Sequence, residues 1–190
     1  MRTFFREILT TLILAVIIFF ALQATVQSFI VVGNSMQPTL QGNQRLLITK
    51  IVYSFREPER GDVIVFRPPD NPQSEYIKRI IALPGESVEI KDGTVYIYQD
   101  DNVFQLHEQN YIKDPPGYTF KKYKVRQDNY FVLGDNRNNS NDSHNNWTVP
   151  RNNIVGKAWL SLWPPVNWGI VNNYPLQEQS AIAAMNKLSY

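Results

Sequence analysis

The chain has no cysteine. Disulfide scaffolds, thiolate nucleophiles, zinc ribbons and iron–sulfur clusters are therefore excluded. Histidine is nearly absent too, with only His107 and His144 among 190 residues. Two histidines far apart in sequence do not make a His-rich metal site, and they leave a Ser-His-Asp arrangement only two candidate bases. Charge of one sign is also scarce. Nineteen Lys and Arg against 17 Asp and Glu give a formal charge of +2. There is no basic field of the kind nucleic-acid binding needs, so no nucleic-acid partner is expected. The Asn-rich run near residue 140 lacks the central Gly and terminal Glu of a calcium loop. No cofactor and no metal are implied.

Hydrophobic residues, by contrast, are plentiful. They make up 43% of the chain, with 10 Tyr, 10 Phe and 4 Trp, enough for a packed core. From Ile8 to Val32 there are 25 residues without Asp, Glu, Lys or Arg. A bilayer core of about 30 Å needs roughly 20 helical residues. This run predicts one uncleaved transmembrane anchor, so that residues 1–32 comprise a cytoplasmic N-terminus and the anchor. Arg2 and Arg6 precede the run and Arg45 is the next basic residue after it. The positive-inside rule puts the N-terminus in the cytoplasm and the rest of the chain on the far side.

Beyond the anchor the pattern is mainly β. Short runs rich in β-branched and aromatic residues occur at Gln44–Val52, Asp62–Phe66, Tyr76–Leu83, Ser87–Ile90, Thr94–Tyr98, Tyr130–Leu133 and Ile154–Leu162. Turn signals such as Arg60-Gly61-Asp62, Pro84-Gly85 and Asp92-Gly93 separate them. Asp92-Gly93 predicts a tight hairpin between Ser87–Ile90 and Thr94–Tyr98. The spacing argues an antiparallel coiled sheet or barrel-like domain over residues 33–172. Residues 86–127 read as a smaller insertion, with its own hairpin followed by polar loops. The tail, 173–190, shows a helical period only over Glu178–Leu188.

Three segments carry candidate chemistry. Gly33-Asn34-Ser35-Met36-Gln37-Pro38 follows the anchor, and a glycine there lets the chain turn and expose the Ser35 hydroxyl. A turn serine is the plainer reading. Lys78 lies in the apolar run Tyr76–Leu83, where alternation puts Tyr76, Lys78 and Ile80 on one face. Desolvation there would lower its pKa and leave a neutral amine that accepts a proton. The plainer reading is a solvated lysine whose stem covers an edge strand. The third segment, Gly134–His144, is a polar loop after Tyr130–Leu133.

Together, in this order and behind one anchor, these segments resemble bacterial and organellar type I signal peptidases. The resemblance lies in GNSMQPTL (Gly33–Leu40), RGDVIVFRPP (Arg60–Pro69), YIKRIIALPGE (Tyr76–Glu86) and GDNRNNSNDSH (Gly134–His144). It implies a membrane-anchored serine endopeptidase with a Ser-Lys dyad, Ser35 as nucleophile and Lys78 as general base. It further implies that Ser140 hydrogen-bonds the Lys78 amine and that the Ser35 N–H donates to the oxyanion. Arg79 and Asp135 are implied as a bracing pair, Asp142 as a second loop carboxylate and Met36 as a support for the nucleophile.

Some positions depart from the family pattern. Gly33 stands where some members carry a serine of the oxyanion hole, Asn138 where many have Asp, and His144 where many have Arg. The implied substrates are signal-peptide-bearing preproteins cut after small residues in an Ala-x-Ala-like pattern. The implied partners are the lipid bilayer and, as a delivery route, the translocation machinery. The catalytic domain would lie in a periplasmic or other extracytoplasmic space, or in the thylakoid lumen. Trp159, Trp163 and Trp168 read equally as an interfacial apolar surface or as ordinary core and loop aromatics.

Overall fold

The computed structural model describes residues 2–173 and 178–180, with backbone alone at 2, 3, 21, 22, 24 and 178–180. Helix α1 (Arg2–Thr25) leads into β1 (Val26–Ile30). Next come β2 (Arg45–Thr49), the one-turn helix α2 (Val52–Phe55), β3 (Val63–Phe66) and β4 (Tyr76–Ala82). The chain continues through β5 (Ser87–Lys91), β6 (Thr94–Gln99), β7 (Asn102–Leu106) and β8 (Phe120–Lys124). It ends with β9 (Asn129–Leu133), β10 (Val149–Pro150), β11 (Ile154–Trp163), β12 (Gly169–Ile170) and β13 (Glu178–Ser180).

The strands form two antiparallel sheets. The larger has the order β1-β2-β11-β3-β4-β9-β10, with β12 added on β11, and the smaller has the order β13-β7-β6-β5-β8. The larger sheet is open, with β1 and β10 at its ends. Register shifts in β4 and β11 mark irregularities of the kind that bend and twist a sheet. Its central strands are buried on both faces. Val63, Val65 and Ile77 pack with Met36, Leu40 and Leu46 on one side. Ile64, Phe66 and Ile80 pack with Tyr53, Tyr130 and Val132 on the other. A third cluster joins the sheets, with Ile81, Phe131 and Leu133 against Val88, Ile90, Val95 and Ile97.

Three expectations from the sequence change here. The apolar run Ile8–Val32 is not one helix. It divides after Thr25, and Val26–Ile30 pairs with β2 from Val26↔Thr49 to Ile30↔Arg45. The strand satisfies its backbone groups in the sheet, and the adjoining Val31 is 1% exposed in the core. Residues 86–127 hold four strands, not one hairpin and loops. β8 presents Lys121, Lys122 and Lys124 to solvent, and these lysines suit a sheet edge by discouraging further pairing. In the tail, Glu178–Ser180 is a strand on β7 and not helix; residues 181–190 lie outside the described residues. The Asp92-Gly93 hairpin is formed as expected, with both residues at positive φ.

Among the described residues, no helix is long and apolar enough to cross a membrane. The side chains of α1 are described without a break over Phe4–Phe20, 17 residues. Its large apolar side chains stand open, from 46% exposure at Val16 to 68% at Phe5.

Buried ion pairs tie the smaller sheet to the larger. Arg60 donates to both oxygens of Glu86 at 2.9 and 2.7 Å, and Arg137 donates to both oxygens of Glu108. Removing one partner of a buried pair strands the other charge, which costs about 3–5 kcal/mol. Glu108→Ala should lose that much stability in urea unfolding. Glu57→Ala, whose pairing with Arg151 leaves its side chain 76% exposed, should lose less than about 1 kcal/mol.

Candidate active site

Gly33 has φ +80, in the left-handed region that a side chain disfavours. A Cβ there would meet nothing within 4 Å, so the backbone angle and not crowding calls for glycine. Three residues later Met36 is fully buried in the core. Ser35 is thus held between a turn and an anchor. Its N–H donates to no group among the described residues.

Lys78 is the third residue of β4, opposite Ile64 of β3. It is 4% exposed, which overturns the solvated-lysine reading. Its Nζ donates to Ser35 Oγ at 2.8 Å and to the Ile77 carbonyl at 3.0 Å. Burial pushes the amine down to about 8, against the opposing pull of the Asp142 and Asp135 carboxylates.

The next residue, Arg79, points to the other face of the strand. Its Nε and Nη2 donate to the two oxygens of Asp135 at 2.8 and 2.7 Å, with both side chains fully buried. Arg79 also donates to the Gly61 and Asn172 carbonyls. Asp142 is buried as well. One oxygen accepts from the Gly134 N–H at 2.9 Å, and the other lies 2.7 Å from His144 Nδ1. The His144 ring stacks on Tyr118 with centroids 4.4 Å apart.

The Ser140 hydrogen bond to Lys78 is not made. Ser140 Oγ is buried and has no hydrogen-bond partner. It sits against Gly134, where an added Cβ would clash with it and would come within 2.5 Å of the Ser35 carbonyl. That close approach lets the loop after β9 clamp the Ser35 loop. The Asn136 N–H donates to the Ser35 carbonyl at 2.9 Å, and Asn136 Nδ2 to the Asn34 carbonyl at 3.1 Å.

Several site residues had no role assigned from sequence. Arg137 lies inside the quoted loop motif, yet its partner Glu108 is 29 residues away in the insertion. Tyr111 donates to Glu108, and the Arg79 and Arg137 guanidinium carbons lie 4.5 and 5.8 Å from its ring centre. Asn138 accepts from the Gly117 N–H and donates to the Pro115 carbonyl. An aspartate could make only the first of these bonds, which explains the amide at that position. No local pattern around Glu108 or Tyr111 signals these contacts.

A hydroxyl held by a buried, largely apolar-surrounded amine is the arrangement of a serine hydrolase with a lysine base. Residues 4–163 match the family model described as "Signal peptidase, peptidase S26". The chain belongs to that family.

This S26 peptidase is 41% identical over 173 residues to "Probable signal peptidase I-2" of Synechocystis sp., covering 88% of this chain and 77% of that protein. It is 48% identical over 139 residues to "Signal peptidase I" of Leptolyngbya laminosa, covering 70% and 66%. It is also 37% identical over 143 residues to "Thylakoidal processing peptidase 1, chloroplastic" of Arabidopsis thaliana, covering 70% of this chain and 41% of that one. Membership makes the chain a serine endopeptidase.

Ser35 and Lys78 open onto a cleft of about 420 Å³ lined by Phe29, Val32, Glu75, Tyr76, Ile77 and Asn141 among others. The backbone of Tyr76–Lys78 pairs with β3 on one side, while the β9 ladder begins only at Arg79. The other side of Tyr76–Lys78 pairs with no strand among the described residues and leaves an open strand edge. The tryptophans in question are not core residues: Trp159, Trp163 and Trp168 are 45%, 59% and 68% exposed.

Gly134→Ala should push the Ser35 carbonyl and the loop apart. A misplacement near 1 Å costs about a hundredfold in rate. Peptidase kcat/KM should fall by about that factor, with circular dichroism confirming that the variant stays folded.

Proposed function

We propose that this peptidase is membrane-anchored and removes N-terminal signal peptides from secreted preproteins with a Ser35–Lys78 dyad. The observation that carries the reading is the 2.8 Å contact between Lys78 Nζ and Ser35 Oγ in a site where the lysine is 4% exposed. A dry amine near pKa 8 is neutral in a useful fraction of molecules near neutral pH. Its lone pair takes the Ser35 proton as Oγ attacks the scissile carbonyl. The Ser35 N–H supplies one oxyanion donor. The resulting ammonium returns the proton to the leaving amine, and the neutral amine then activates the water that hydrolyses the acyl-enzyme.

Arg79–Asp135, Asp142 and Met36 act as positioning residues in this scheme. Ser140 makes no bond to the amine and fits the scheme only if its hydroxyl turns to it when substrate is bound. His144 is the alternative base, but its Nδ1 is engaged by Asp142. An extended preprotein adds as a strand to the free edge of Tyr76–Lys78. Shallow apolar walls at Phe29, Val32 and Ile77 suit small side chains near the scissile bond.

Two features support the membrane reading. The large side chains of α1 are apolar and open, and Val32, Trp163, Val166, Trp168 and Ile170 are each more than half exposed. Large apolar surfaces on a protein mark contact with lipid or another protein. The proposed topology puts the N-terminus in the cytoplasm and the catalytic domain on the far side, where the translocation machinery delivers preproteins.

Detergent-solubilised protein should cleave a preprotein with an Ala-x-Ala site. Ser35→Ala and Lys78→Met should each lose about 10²–10⁴-fold or more. An active Lys78→Met would move the base to another residue. Below about pH 8 the parent kcat/KM should rise roughly tenfold per pH unit and then level off as the amine deprotonates.

The same burial has a stability consequence. The folded amine titrates near 8 and the unfolded one near 10.5, so the unfolded state binds more protons between those values. The lysine's penalty is then fully present below pH 8 and fades toward pH 10.5. Chemical denaturation at pH 7 should find Lys78→Met more stable than the parent, by up to about 3 kcal/mol.

A further inference from the structure

Glu75 is the one carboxylate lining the cleft that holds Ser35 and Lys78. It is half-buried, at the point where the chain enters β4. It makes no ion pair or hydrogen bond with any described residue. The other acidic groups of the site are engaged: Asp135 with Arg79, Asp142 with Gly134 and His144, and Glu108 with Arg137. Asp142 and Asp135, and not Glu75, are the carboxylates that act on the Lys78 amine. An ionised side chain kept partly out of water without a partner loses solvation and gains nothing internal. The remaining counter-charge is whatever enters the cleft.

We infer that Glu75 is a specificity-determining residue, which favours a basic and disfavours an acidic side chain in the substrate segment on the free edge of β4. The inference rests on the endopeptidase reading given above. Glu75 precedes Lys78 by three residues. At about 3.3 Å per extended residue it lies about 10 Å along the strand from the dyad. The substrate residue it faces is therefore about three positions from the scissile bond. The intervening walls, Tyr76 and Ile77, carry no charge. The cleft's charge is set by Glu75 once Lys78 is neutral.

The test uses full-length protein in detergent micelles and a neutral peptide with an Ala-x-Ala site. Lys or Glu is placed in turn at each position within five residues of the scissile bond on either side, except the two alanines that define the site. At pH 9, where Lys78 is mostly neutral, one position about three residues from that bond should show kcat/KM higher for Lys than for Glu by about tenfold. In Glu75→Gln the ratio at that position should fall toward one. In the parent it should also shrink between 0.01 and 1 M salt, as the Debye length drops from about 30 to about 3 Å. A parent that cleaves the neutral peptide but shows no Lys-over-Glu ratio at any position overturns the inference and leaves the endopeptidase reading intact. A ratio that survives in Glu75→Gln assigns the selectivity elsewhere and overturns it as well. A parent that cleaves none of the peptides overturns both.

Discussion

A lysine amine kept dry is the constraint on which the rest of the site depends. An ammonium in bulk water is a poor base near neutral pH, and a fully exposed Lys78 would be one. Removing it from water lowers its proton affinity, but only if no nearby negative charge undoes the effect. The loop after β9 brings two carboxylates close to Lys78, Asp135 and Asp142. Each is matched with its own donors. Asp135 is neutralised by a bidentate arginine, and Asp142 is spent on the Gly134 N–H and the His144 ring. The arrangement lets charged loop residues brace the site while the lysine stays well below its ordinary proton affinity.

The same requirement explains why the smaller sheet matters to the site. Arg79 and Arg137 are both fully buried, and both flank Tyr111 from the insertion. Glu108, three residues before Tyr111, takes both guanidinium donors of Arg137 and the tyrosine hydroxyl. Asn138 adds a two-way amide contact to residues 115 and 117. The insertion is therefore the floor under the loop that clamps Ser35, and not a separate appendage. A buried arginine pair of this kind is costly to assemble and costlier to break, which favours one loop geometry over its alternatives.

The path from β1 to the site links the chemistry to helix α1. β1 ends at Ile30, Val31 enters the core, Val32 opens outward, and Ser35 follows. The turn at Gly33 reverses the chain between these opposing demands. A substrate strand at the edge of β4 would lie beside Phe29 and Val32. Selection by small apolar walls and by one free carboxylate would then act on neighbouring positions of the same extended segment.

Much of this was legible from sequence because it is local. Alternation of apolar residues and the Asp92-Gly93 turn, which depend on spacing within one strand or one loop, determined the antiparallel β class and its hairpin. The Ser35–Lys78 pairing and the Arg79–Asp135 brace join residues 43 and 56 apart, and only the resemblance of the four quoted motifs to type I signal peptidases implied them. The tertiary structure decided what depends on distance across the chain. It cut the long apolar run at Thr25 because Val26–Ile30 had a partner in Arg45–Thr49. It made strands of 102–106 and 120–124, whose sequences NVFQL and FKKYK show no clean alternation of polar and apolar residues. It left Ser140 unpaired and gave Arg137 its carboxylate from 29 residues upstream. The sequence by itself determined which groups carry the chemistry, since residue type sets what each can donate or accept. Which of them are dry, paired or free depends on packing between segments far apart in the chain, and only the fold decides that.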